Sequence, residues 1–82
     1  MTYQQALAAF LAHAENAETA LAERVGKSQA AINRYRNGKR FPDAETARLI
    51  DRETRGQVSF AIWQSDFLAR SGLSTRPTQT AA

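Results

Sequence analysis

Four side chains, Gln29, Ala30, Asn33 and Arg34, fall at positions i, i+1, i+4 and i+5 of a stretch with helical patterning. At that spacing they share one side of a helix. Their chemistry suits the edge of a base pair. The carboxamides of Gln29 and Asn33 can pair at two points with adenine, and the Arg34 guanidinium can do the same with guanine. The Ala30 methyl can meet a thymine methyl. Around them stand Lys27, Ser28, Arg36, Asn37, Lys39 and Arg40, which suit phosphate oxygens. From Arg24 to Pro42 the chain carries six basic residues and no acidic one, although it holds eight acids elsewhere. Most charge runs are only solvated faces. This one coincides with the outward side of a short helix, which favours a polyanionic partner.

Presenting such a face requires a capped helix seated on a core. Ser28 is placed to cap a helix from Gln29 to about Asn37, with Ile32 and Tyr35 pointing inward. Tyr35 could stack on a base, but its spacing from Ile32 favours core anchoring. Asn37-Gly38 ends the helix. Upstream, Asn16 is the capping candidate for a helix through Val25 whose inward residues are Leu21, Ala22 and Val25. Gly26 then supplies the left-handed turn and Ala22 the small contact where the two helices cross. Two short helices about a glycine turn, the second polar outside and ending in basic residues, have the form of a helix-turn-helix over about 18–37. Such a motif lays its second helix in the DNA major groove.

The remaining elements complete a core. Tyr3, Leu7, Phe10, Leu11 and Ala14 form one helical stripe, with Thr2 as N-cap. Phe41-Pro42-Asp43 starts a fourth helix, with proline in the first turn and Asp43 and Glu45 at its positive end. Its buried stripe is expected to be Ala44, Ala47, Ile50 and Thr54, widened by Leu49, and Gly56 breaks it. From Val58 the chain is ambiguous. Val58, Phe60 and Ile62 alternate as in a strand, whereas Phe60, Trp63, Phe67 and Leu68 repeat as in a helix capped by Ser59. The helical set is longer and holds the largest side chains, so a helix is expected. Phe60, Ile62, Trp63, Phe67 and Leu68 either close the monomer core or form a dimer interface, where aromatic anchors dominate. The expected architecture is an all-α, five-helix domain over 1–71, with an aromatic segment at 58–70 and a disordered tail at 72–82.

Composition narrows the function further. Eighty-two residues make one small domain, with a formal charge of +3 and a pI near 10.0. There is no cysteine, which excludes disulfides and thiolate metal sites, and the single His13 reads as a surface residue. No apolar run approaches membrane-spanning length, and the N-terminus lacks signal-peptide order, so a soluble cytoplasmic protein is expected. No triad spacing, glycine-rich phosphate loop or paired catalytic carboxylates occur. The reading is therefore no enzyme, no catalytic residue, no cofactor, no metal and no small-molecule substrate. Single-stranded RNA is disfavoured because the basic stretch lacks interleaved surface aromatics for stacking.

The chain also resembles the Cro and repressor group of phage-type helix-turn-helix proteins, and within it the small YdaS-like branch of Cro-like regulators and antitoxins. The resemblance rests on Leu21-Ala22, Gly26, Ser28 through Tyr35, Asn37-Gly38-Lys39-Arg40 and Pro42, then Ile50-Asp51, Glu53-Thr54 and Gly56-Gln57-Val58. It covers about Asn16 to Val58. It implies a lambda-repressor-like fold, a bacterial or phage origin with association to the nucleoid, Gln29, Ala30, Asn33 and Arg34 as base readers, and Ser28, Asn37, Lys39 and Arg40 as backbone contacts. Three positions depart from the pattern. Lys27 replaces an apolar residue, Glu18 stands where a phosphate-gripping glutamine is common, and Arg55 replaces a glycine. A carboxylate repels phosphate, so no such contact is assigned to Glu18. A lone recognition helix reads few base pairs, which points to a homodimeric repressor on double-stranded DNA. The alternative is an antitoxin or interaction module whose aromatic segment binds a toxin or a transcription component.

Overall fold

The computed structural model describes residues 1–71. Among the described residues there are five helices: α1 (Tyr3–Leu11), α2 (Ala17–Val25), α3 (Gln29–Arg36), α4 (Ala44–Glu53) and α5 (Phe60–Ser71). Side-chain oxygens start most of them. Thr2 Oγ1 accepts from the Gln5 backbone N–H at 3.1 Å while Gln5 Oε1 accepts from that of Thr2 at 3.0 Å, a reciprocal capping box. Ser28 Oγ accepts from Ala31 at 3.0 Å, Asp43 Oδ1 from Thr46 at 2.9 Å and Ser59 Oγ from Ile62 at 3.2 Å. Asn16 holds the N-cap position of α2 without a side-chain cap bond among the described residues.

The exits of α2, α3 and α4 share one device. At Gly26 (φ 71°) and Gly38 (φ 76°) the backbone turns left-handed, and the next N–H returns to the carbonyl five residues back. Those bonds are Lys27 to Ala22 and Lys39 to Arg34, both 2.9 Å. After α4 the left-handed residue is Arg55 (φ 55°), followed by Gly56 (φ 81°), whose N–H reaches the Asp51 carbonyl at 2.9 Å. Arg55 thus takes over the role of a glycine and carries the steric cost of its own Cβ.

Leu7, Ile32, Ala47, Ile50 and Val58 are fully buried, with Tyr3, Leu11, Leu21, Val25, Tyr35 and Trp63 packed around them. Helix α5 fastens this assembly at two places. The Asp51 carboxylate accepts from the Phe60 N–H at 2.7 Å, and the Asp66 carboxylate accepts from the Tyr3 N–H at 2.9 Å. Between them the Trp63 indole N–H donates to the Pro42 carbonyl at 2.9 Å, and its ring stacks on Phe41, Phe60 and Phe67 at centroid distances of 5.7, 5.0 and 4.9 Å. A buried indole with its N–H satisfied is a stable anchor.

The structure corrects the pattern reading at several points. The segment from Phe60 is helical, as the longer repeat indicated. Helix α1 stops at Leu11, so Ala14 lies beyond it and is exposed. Pro42 precedes the cap of α4 rather than entering its first turn, because Asp43 is the N-cap. The inward face keeps Ala47, Ile50 and Thr54, but Ala44 at the first helical position is exposed and Thr46 is buried. The tail expected over 72–82 lies outside the described residues.

Two stability predictions follow from the helix ends. Hydrogen bonds from the Thr46 side chain and backbone hold the Asp43 carboxyl below its ordinary value. The cap's contribution is therefore full above the unfolded carboxyl range and is lost as pH falls through the lowered native value. Asp43→Ala should cost about 1 kcal/mol at neutral pH, with the difference from wild type closing in acid. Arg55→Gly should stabilise by about 1 kcal/mol by relieving the left-handed backbone. Urea unfolding of both variants across pH checks each value.

Candidate nucleic-acid interface

Helix α3 is divided sharply between its two sides. Ile32 is 0% exposed and Tyr35 6%, and both face the core. The remainder of the helix carries Gln29, Ala30, Arg34 and Arg36 in the open, with Asn33 half-buried, and Gln29 and Arg36 flank the inward face on the side of α2. Lys27, Ser28, Asn37, Lys39 and Arg40 are also exposed, at the two ends of the helix. Apart from half-buried Asn33, the side chains singled out for base or phosphate contact are thus all exposed on α3 or just beyond its ends. Arg34 contributes twice, since its carbonyl accepts the N–H groups of Lys39 at 2.9 Å and Arg40 at 3.3 Å. Those bonds fold the basic pair back against the end of α3, where the helix dipole favours positive charge.

One participant on this surface is acidic. The Glu18 carboxylate, in the first turn of α2, accepts from Gln29 Nε2 at 2.5 Å, Asn33 Nδ2 at 3.1 Å and Arg36 Nη1 at 2.6 Å. Asn33 Oδ1 in turn accepts from Asn37 Nδ2 at 3.1 Å. The Arg36 guanidinium foremost, with the two amides, holds the Glu18 carboxyl below the usual carboxylate range. Glu18 is therefore ionised at neutral pH and accepts only. Arg36 has five N–H donors, so its bond to Glu18 leaves capacity for phosphate.

The acidity of Glu18 does not by itself reveal this network. The available signal was the Gly26 turn itself, which folds the start of α2 back beside α3 and brings position 18 to positions 29, 33 and 36. The aromatic segment divides differently. Trp63 belongs to the core, Phe60 and Ile62 are half-buried, and Phe67 and Leu68 are 42% and 38% exposed. Arg48 lies over the Phe60 ring and Arg70 over Phe41, each at 4.2 Å from the centroid.

Among the described residues, no cluster of three or more histidine, cysteine, aspartate or glutamate side chains is placed to hold a metal. Nor is any described helix long and apolar enough to cross a membrane. A family model described as Helix-turn-helix matches residues 17–57, half of the chain, spanning α2, α3 and α4. Neither the curated proteins nor the solved structures provide a match. The chain therefore belongs to the helix-turn-helix family of Cro/C1 type, a family of sequence-specific DNA-binding regulators.

Proposed function

We propose that this protein is a Cro-like repressor of the YdaS-like branch that reads double-stranded DNA as a homodimer in the cytoplasm. The observation that carries this reading is the polar outward face of α3, held rigid over buried Ile32 and Tyr35. Gln29, Ala30, Asn33 and Arg34 meet base edges in the major groove. Lys27, Ser28, Arg36, Asn37, Lys39 and Arg40 grip phosphates and fix the register. Bound at a promoter, the domain blocks access by occupancy.

Two copies present two recognition helices to half-sites roughly 34 Å apart, one turn of the duplex. The outer part of the aromatic segment, Phe67 and Leu68 with the edges of Phe60 and Ile62, is the surface we assign to pairing. Trp63 supports it from within the core. The same exposed residues favour a second reading, in which a toxin or transcription component docks there and DNA contact is secondary.

Selection from a random duplex library at physiological salt should enrich an inverted repeat. Enrichment without any motif would reject sequence reading, and a stoichiometric co-purifying protein lost on Phe67→Ala would favour the second reading. On the selected site, Arg34→Ala should weaken binding by about 1–3 kcal/mol and relax preference at one base position. Lys39→Ala should instead weaken all duplexes alike and lower the salt slope by about one. Equal losses for Arg34→Ala on cognate and random duplexes would remove its reading role.

A further inference from the structure

We propose that Glu18 is a positioning residue that sets base preference by fixing the orientation of the Gln29 and Asn33 amides. The inference rests on α3 reading DNA, as argued above. A carboxamide offers two nearly isosteric ends, one donating and one accepting, and in water it presents either. The side chain of Glu18 is only 16% exposed and, being ionised, offers lone pairs alone. Both amides must therefore turn their NH₂ ends toward it, as the bonds from Gln29 Nε2 and Asn33 Nδ2 record. Arg36 holds the carboxylate from a third direction at 2.6 Å, so the acceptor is itself immobilised.

The constraint travels one residue further. With its nitrogen committed to Glu18, Asn33 must offer Oδ1 to Asn37, whose Nδ2 donates to it at 3.1 Å. One carboxylate thus decides three amides. On Gln29 this leaves a second N–H and Oε1 for a base, the adjacent donor and acceptor that adenine requires. The negative charge also opposes phosphate, an effect that weakens binding to every duplex alike and leaves the cognate-to-random ratio unchanged.

Glu18→Gln keeps size and hydrogen-bonding capacity but can donate as well as accept, so it releases the amides. Library selection and titration should show the cognate-to-random affinity ratio falling about tenfold, with preference broadened at the bases facing Gln29 and Asn33. The thermal midpoint should stay near that of wild type. In a Gln29→Ala background the same substitution should change the ratio much less, because one of the oriented amides is gone. A uniform gain on all duplexes with the ratio unchanged would reduce Glu18 to charge repulsion and overturn the proposal. An equal fall in the ratio with and without Gln29 would overturn it too. Failure of wild type to enrich any motif would instead refute DNA reading itself, and this inference with it.

Discussion

An eight-residue helix is too short to persist in water, so α3 exists because Ile32 and Tyr35 are buried beneath it. That burial is the constraint on which the interface depends. It fixes the rotation of the helix, and rotation decides which side chains face outward. It also requires a partner surface, which α1 and α2 supply through Leu7, Leu21 and Val25. The Ser28 cap and the Gly38 exit then set the length of the rod and point the basic pair back onto its end.

Seen electrically, the surface is not uniformly positive. The ionised Glu18 carboxylate sits among exposed cations and takes one of them, Arg36, as its partner. Net charge alone therefore describes this face poorly. Lys27, Lys39 and Arg40 at the two ends supply long-range attraction to a polyanion, while the middle of the helix is a short-range network of oriented amides. On the proposed function, affinity and selectivity then fall to different residues.

Much of this was legible in the chain because local rules and the fold agree. Ser28, Gly26 and Gly38 each have one obvious use, and Ile32 and Tyr35 leave a single way to seat the helix. The ambiguity at Val58–Ile62 resolves because Phe60, Trp63 and Phe67 must share one side to stack, which alternation would prevent. Reading failed where tertiary geometry decides. Pro42 looks like a first-turn proline until Asp43 takes the cap, and at the start of α4 it is Thr46 rather than Ala44 that enters the core. The bonds from α3 to Glu18 escape the sequence for a related reason, since eleven residues and a turn separate Glu18 from Gln29.

The hydrogen bond between the Tyr3 N–H and the Asp66 carboxylate joins residues 63 apart in the chain. The bonds from Gln29, Asn33 and Arg36 to Glu18 span only 11, 15 and 18. Closing the longer loop costs roughly 1 kcal/mol more in chain entropy, by the logarithmic growth of that cost with length. Assembly is accordingly expected to begin in the middle of the sequence, with α2 and α3 pairing first. Docking of α5 against α1 then comes late, and it seals a core whose recognition element is already in place.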